Sequence, residues 1–181
     1  MGQAKQLLPH RSGTLLSHSV DIARDAGLHP LIVVVGANAD AVQAAVAAKP
    51  VEIVRNSKWQ TGMGSSIAAG VRYHQQLQAD SAAIAILLAD QPLITANHLL
   101  QMRRLLLDSG APAVAAEYNG SPGVPAFFRR QLLPQLAALT GEGGAKPLLR
   151  DGKTARFPLP EAATDIDTPE DFSKLEQRFL S

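Results

Sequence analysis

An unbroken run of apolar residues, Ala82 to Ala89, lies near the middle of the chain and ends directly at Asp90. A short apolar run closed by a turn signal is typical of a strand that is buried on both faces of a parallel sheet. Asp90 would then stand at the carboxyl end of this strand, where open α/β sheets bind their ligands. The pattern predicts a central strand that carries a site aspartate, with the alternative that Asp90 only caps a turn.

Helix-like and strand-like patterns alternate along the rest of the chain. Helices are predicted from Thr14, over about 39–48, from Ser65 to Gln78, between Thr95 and Gly110, over 132–139 and from Thr168 onward. Strands are predicted over 31–35, 51–54, 113–117, 124–128 and 156–159. This order favours an α/β fold in which helices cover both sides of a mostly parallel sheet. Since no repeat or linker interrupts the pattern, residues 1–181 are predicted to form a single domain.

Some details of these helices are also predicted. Asn38 is expected to cap the second helix. Four leucines are expected to form the buried face of the helix that begins after Thr95, namely Leu99, Leu100, Leu106 and Leu107.

Composition narrows the possible functions. The chain has 181 residues and a formal net charge of +1, so it lacks the basic excess with which proteins track nucleic acid. It has no cysteine, which excludes disulfides, thiolate catalysis and cysteine-bound zinc. No apolar run approaches the ~20 residues of a membrane-spanning helix, and no signal sequence is recognisable. We therefore expect a soluble, cytoplasmic protein with neither nucleic acid nor membrane as a partner.

A second carboxylate site lies near the end of the chain, where Asp165 and Asp167 flank Ile166. In an extended segment alternate residues share a face, so the two carboxylates would point the same way. Together with Asp90 they would offer the hard oxygen ligands that Mg²⁺ prefers. The alternative is that Asp167 helps to cap the helix that follows.

Two other segments could bind an anion. Lys5 lies in an N-terminal loop, where its ammonium group can either contact a phosphate or remain a solvated surface charge. Gly62, Gly64, Ser65 and Ser66 precede a predicted helix and could present backbone N–H groups and hydroxyls to a ligand. The alternative for this segment is an ordinary glycine-rich turn with a serine cap.

Six motifs in order carry a resemblance to a known family: MGQAKQLLP, NSKWQTGMGSSI, LLADQP, GSPGVPAFF, GEGGAKPLL and DIDTPEDF. In these segments the chain resembles the MobA-like nucleotidyltransferases, and within them it is most similar to the molybdenum cofactor cytidylyltransferase branch. The resemblance covers nearly the whole chain. It implies a Rossmann-like, three-layer fold of the nucleotide-diphospho-sugar transferase type.

The resemblance also implies an activity and its residues. A nucleotide would be transferred from CTP, or from GTP or another triphosphate in other branches, to a molybdopterin-type acceptor with release of pyrophosphate. Carried over to this sequence, Lys5 and Asp90 would be catalytic, and Asp90 with Asp167, or with Asp165 as the competing choice, would hold Mg²⁺. The nucleotide would be bound by the following residues: Gly2, Lys5, Asn56, Gly62, Gly64, Ser65 and Ser66.

The sequence departs from the family pattern at its beginning. Family members start with a strand and a loop of the kind LAAGxSxRMGxxK, whereas this sequence starts at the MG of that motif. We therefore expect an N-terminally truncated domain that lacks the first, central strand of the sheet. This strand would lie beside the predicted strand over 31–35 and the predicted strand that ends at Asp90. Either the true start lies upstream and Met1 is an internal methionine, or the chain is a natural fragment that is inactive or is completed in some other way. A non-catalytic accessory protein that binds the cofactor or a molybdoenzyme apoprotein is the alternative to an enzyme.

Overall fold

The computed structural model describes residues 4–11, 13–78 and 80–164. Within them the strands are β1 (Pro9–His10), β2 (Gly13–Thr14), β3 (Ile32–Val35), β4 (Glu52–Arg55), β5 (Ala83–Ile86), β6 (Ala113–Tyr118), β7 (Ser121–Arg129) and β8 (Ala155–Pro158). The α-helices are α1 (Leu15–Asp25), α2 (Ala39–Ala45), α3 (Met63–Gln76), α4 (Ala96–Ser109), α5 (Leu133–Ala137) and α6 (Lys146–Leu149). Short 3-10 helices cover Lys5–Leu7, Trp59–Thr61, Arg130–Leu132 and Pro160–Ala163. The predicted α/β class is confirmed.

The described strands form three sheets, of which the small antiparallel pair β1–β2 is one and the other two organise the fold. Strands β3 and β4 pair in parallel, with Ile32 opposite Glu52 and Val35 opposite Arg55. The second sheet has the order β5-β7-β6-β8, in which β7 is antiparallel to both of its neighbours and β6 is parallel to β8. The sheet is mixed because β6 and β7 form a hairpin. Asn119 and Gly120 make its turn with positive φ angles of 50° and 70°, which suit a tight hairpin.

The described strands do not form one continuous sheet. β3 pairs with β4 and β5 pairs with β7, and no backbone ladder in the described ranges joins β3 to β5. The central strand expected between them is not among the described residues. Every residue of β5, which pairs only with β7 among the described strands, is only partly buried. The prediction that the apolar run over 82–89 is buried on both faces is wrong for this reason.

The β6–β7 hairpin is the best-buried part of the molecule, because both of its faces are covered. On one face Val114, Ala116 and Phe127 pack with residues of α1 and α4. On the other face Ala115 and Phe128 pack with α3, α5 and α6. A third cluster joins α1, α2 and β3 to Ala89. Helices therefore lie on both sides of the sheet, as the alternating pattern predicted.

Helix ends follow their sequence signals in most cases. Thr14 and Ser17 form a reciprocal capping box at the start of α1, and Thr95 accepts a hydrogen bond from the backbone N–H of His98 at the start of α4. Gly110 ends α4 in the left-handed conformation, which glycine adopts without steric cost. Asn38 precedes α2 but its side chain makes no capping hydrogen bond, so that prediction is wrong.

The predicted buried face of α4 is half right. Leu99 and Leu106 are buried, but Leu100 and Leu107 are 38% and 65% exposed. Met102 is buried in their place, because positions 99, 102 and 106 share one face of a helix and positions 100 and 107 turn away from it. No helix in the part of the chain that the structure describes combines the length and apolar character needed to cross a membrane.

Candidate active site

A cleft of about 360 Å³ lies between the two sheets. One wall is the unpaired edge of β3 and the two residues that follow it, and the opposite wall is the segment that continues β5 to Asp90. Its lining residues are Lys5, Gln6, Leu16, Val33, Val34, Val35, Gly36, Ala37, Val42, Trp59, Ser66, Leu88, Ala89 and Asp90. The cleft includes the carboxyl end of β3, which is the ligand-binding end in open α/β sheets.

Asp90 stands in the turn that follows β5, and its Oδ1 atom is buried. The next residue, Gln91, fixes this turn. Gln91 is 1% exposed, and its Nε2 donates hydrogen bonds to the carbonyls of Val124, at 3.0 Å, and Ala162, at 2.8 Å. Gln91 lies in the LLADQP motif, and no role of its own was predicted for it. Its role as an anchor for the Asp90 turn depends on partners 33 and 71 residues away.

We expect Gln91→Leu to lower the free energy of unfolding by about 2 kcal/mol, because two buried carbonyls lose their donor without a large change in volume. Urea unfolding of the variant and the wild type measures this loss. Gln101→Leu, at an exposed position on α4, is the matched control and should change stability by less than about 0.5 kcal/mol. Equal effects of the two substitutions would contradict the anchoring role of Gln91.

Lys5 lies in the 3-10 helix Lys5–Leu7 and lines the same cleft as Asp90. A lysine and an aspartate that are 85 positions apart in the sequence are thus brought to one cavity. The ammonium group supplies a positive charge for phosphate, and the carboxylate supplies a hard oxygen for a divalent cation. The cleft therefore combines one cationic and one anionic side chain.

Asn56 organises the segment before α3. Its side chain is buried; Nδ2 donates to Ser65 Oγ at 2.8 Å and to Ser66 Oγ at 3.0 Å, and Oδ1 accepts from the N–H of Lys58 at 2.9 Å. Ser65 Oγ also donates to the carbonyls of Lys58 and Gly62. Ser66 lines the cleft, whereas Asn56 does not. The predicted nucleotide contact of Asn56 stays a prediction, and the structure adds a role in positioning Ser66.

Gly62 and Gly64 bring two of the motifs together. A Cβ atom at Gly62 would lie 2.4 Å from the carbonyl of Gly141, and one at Gly64 would lie 2.6 Å from the carbonyl oxygen of Thr140. The N–H of Gly64 donates to the Gly141 carbonyl at 2.9 Å. The GMGSS and GEGGAK segments therefore pack backbone against backbone, which only glycine permits at these two positions. Their predicted nucleotide contacts remain untested predictions beside this packing role.

Three predicted site residues, Gly2, Asp165 and Asp167, lie outside the described residues. In the described ranges no group of three or more histidine, aspartate or glutamate side chains could hold a metal ion. Among the described residues, Asp90 alone supplies a carboxylate to the cleft. This hard oxygen fits Mg²⁺ as one ligand of a set that also draws on water and substrate phosphates.

Two histidines pack together beside the Asp90 turn. The rings of His10, at the end of β1, and His18, on α1, meet edge to face with centroids 4.7 Å apart. Burial, followed by His18 and Arg11, lowers the pKa of His10 from 6.5 to about 4. Burial and Arg11 also lower the pKa of His18, against the opposing effects of the Ile94 and Pro92 backbone and of Asp21. No role was predicted for these histidines from the sequence, because their contact joins two separate elements, β1 and α1.

We expect the protein to lose stability as the pH falls from about 6.5 to about 4. In this range the unfolded chain binds a proton at His10 that the folded protein does not. The free energy of unfolding therefore decreases, by up to about 1.4 kcal/mol for each pH unit, as the pH is lowered. Urea unfolding at a series of pH values gives the free energy of unfolding as a function of pH. This free energy should change less steeply with pH in His10→Gln than in the wild type. The same change at the exposed His29 is the control, and equal slopes for wild type and His10→Gln would refute the prediction.

The fold and the cleft place the protein in a defined structural class. Rv0371c from Mycobacterium tuberculosis H37Rv has 27% sequence identity and a TM-score of 0.78, with 98% of this chain and 91% of that chain covered. Its complex with manganese has a TM-score of 0.74, with 97% and 93% covered. CMP:2-keto-3-deoxy-manno-octonic acid synthetase has a TM-score of 0.70 at 13% identity, covers 97% and 91%, and shows the fold alone. The predicted nucleotide-diphospho-sugar transferase fold is confirmed.

Sequence comparison gives the family. Residues 1–157 match the model for the MobA-like NTP transferase domain, and the chain belongs to this nucleotidyltransferase family. It is 32% identical to nicotine blue oxidoreductase of Paenarthrobacter nicotinovorans, covering 97% of this chain and 86% of that protein. It is 30% identical to purine catabolism protein PucB of Bacillus subtilis (98% and 90%) and 25% identical to molybdenum cofactor cytidylyltransferase of Escherichia coli (99% and 90%).

Proposed function

We propose that this protein transfers CMP from CTP to a molybdopterin-type acceptor and releases pyrophosphate, with Mg²⁺ as cofactor. The observation that carries the proposal is the shared cleft of Lys5 and Asp90 at the carboxyl end of β3. The choice of CTP and of the acceptor is supported by the 25% identity to molybdenum cofactor cytidylyltransferase and by the sequence motifs. The manganese complex of Rv0371c supports a divalent cation.

The chain's own groups have distinct parts in this reaction. An oxygen of the acceptor phosphate attacks the α-phosphorus of CTP, the bond from that phosphorus to the bridging oxygen breaks, and pyrophosphate leaves. Lys5 offsets negative charge on the triphosphate, and this charge grows on the leaving pyrophosphate. Asp90, with Asp167 or Asp165, would hold Mg²⁺, which supplies further charge neutralisation when bound. No protein nucleophile is required, since positioning of the acceptor oxygen supplies most of the remaining rate.

The acceptor is the least constrained part of the proposal. Two relatives with 32% and 30% identity carry the names nicotine blue oxidoreductase and purine catabolism protein PucB, and neither name is that of a transferase. The experiment must therefore separate nucleotide chemistry from binding of a cofactor or of a molybdoenzyme apoprotein. This binding without turnover is the second candidate function, supported by the names of these two relatives.

The test is release of pyrophosphate by the purified chain with CTP, GTP, ATP or UTP, in the presence of Mg²⁺ and molybdopterin. We expect release with CTP, a dinucleotide product detected by mass, and loss of both after chelation of the metal. Release with GTP alone would move the assignment to a guanylyltransferase. If folded protein that still binds molybdopterin releases no pyrophosphate with any of the four triphosphates, the transferase is refuted and the accessory protein is supported.

A further inference from the structure

Trp59 lies at the rim of the cleft, where backbone hydrogen bonds and a contact with Gly36 fix its position. Its N–H donates to the carbonyl of Asn56 at 3.3 Å, and its carbonyl accepts from the N–H of Gly62 at 3.2 Å. A Cβ atom built at Gly36 would lie 2.5 Å from Cβ and 2.6 Å from Cγ of Trp59. The residue therefore rests directly on the backbone at the end of β3, and the absence of a side chain at Gly36 makes this contact possible.

This fixed side chain nevertheless stays 42% exposed and lines the cleft together with Lys5 and Asp90. Tryptophan is large and apolar, and holding its ring in place against solvent gives no benefit to folding comparable to burial. Held in one position, however, an aromatic ring can stack on a planar ligand at low entropic cost. Met63, four residues further along the chain, is also exposed, at 47%.

We propose that Trp59 stacks on a planar heteroaromatic ring of the ligand and so contributes to ligand selection. A cationic lysine, a carboxylate and an exposed indole in one cleft suit a ligand that joins an anionic group to such a ring. The ring is the nucleotide base or the pterin of the acceptor. This inference rests on the proposed function in the identity of the ligands, and the test below separates the two.

Trp59 is the only tryptophan of the chain, so its fluorescence reports on this position alone. We would titrate the protein with CTP, GTP, inorganic triphosphate and a pterin that lacks phosphate, and record the proton NMR shifts of the ligand rings. Stacking on an indole moves ring protons upfield, which a merely structural tryptophan does not cause. We expect base protons to shift if the nucleotide is the source of the ring, and pterin protons to shift if the acceptor is. Inorganic triphosphate, which has no ring, should cause little quenching of the Trp59 fluorescence.

Variants complete the test. Trp59→Leu should remove the upfield shifts and weaken binding or raise KM for the stacked ligand by roughly 5- to 150-fold, with a smaller effect on kcat. Trp59→Phe should restore most of the affinity. Leu107→Ala, which removes another exposed apolar side chain on the remote surface of α4, is the control and should leave KM unchanged.

The outcomes distinguish this inference from the proposed function. Pyrophosphate release with an unchanged KM in Trp59→Leu would overturn the stacking role and leave the transferase intact. Upfield shifts that depend on Trp59, without pyrophosphate release, would support stacking and refute the transferase. If no ring proton of any ligand shifts in the wild type, the stacking role is overturned.

Discussion

Asp90→Asn is expected to reduce pyrophosphate release by about a hundredfold or more. The amide keeps the size of the side chain but removes the negative charge, so a divalent cation would lose a carboxylate ligand and several kcal/mol of charge stabilisation in the transition state. The measurement is the rate of pyrophosphate release with CTP at saturating Mg²⁺. The substitution should leave the fold intact, because asparagine can occupy the same turn.

The control for this experiment is Asp108→Asn, which removes an exposed carboxylate that pairs with Arg104 on α4. This variant should turn over at the rate of the wild type, since an exposed ion pair contributes little to stability. Undiminished turnover in Asp90→Asn would refute the assignment of Asp90 as a metal ligand. Partial rescue by a higher Mg²⁺ concentration would agree with a weakened metal site.

Gly64→Ala is expected to destabilise the protein by about 2 kcal/mol and to lower activity with it. In an ordinary helix this change would stabilise by roughly 0.5–1 kcal/mol, because alanine is the better helix former. Here the new Cβ would lie within 2.6–2.9 Å of three backbone atoms of Thr140, and backbone atoms cannot move aside as the end of a flexible side chain can. The expected sign is therefore opposite to the one that helix propensity predicts.

Gly143→Ala is the matched control, because Gly143 belongs to the same GEGGAK segment and a Cβ there would meet nothing within 4 Å. Its effect should be within about 0.5 kcal/mol. Urea unfolding gives both values, and activity measured at low temperature separates a displaced loop from an unfolded fraction. If Gly64→Ala were as stable as the wild type, the close contact between the two segments would be wrong.

The local features of this protein were predictable from its sequence. Thr14 and Thr95 cap α1 and α4 at the positions where the sequence predicts that these helices begin, since a cap requires only neighbouring residues. Lys5 and Asp90 were paired by their motifs, and the structure places both in one cleft. Features that depend on distant partners were not predictable. The contact of Gly64 with Thr140, and the anchoring of Gln91 to Ala162, join residues far apart in the sequence.

Burial was predicted less well where it depends on neighbouring strands. An apolar run shows that a segment can be buried, but its exposure is decided by what lies on each side. β6 and β7 are buried because each has a strand partner on both edges and helices on both faces. β5 has the same apolar character but, among the described strands, pairs only with β7, and its residues are only partly buried.

The separation of β3 and β4 from the other described strands has a consequence for how the protein responds to its ligand. Leu16 and Val20 of α1 pack on Val35, and Tyr73 of α3 donates a hydrogen bond to Glu52 of β4. Side chains, rather than a backbone ladder, therefore join the β3–β4 sheet to the other described strands. A ligand that contacts Trp59 on one wall of the cleft and Asp90 on the other would add a link between the two walls, so amide hydrogen exchange in β3 and β4 should slow more than exchange in β6 and β7 when it binds.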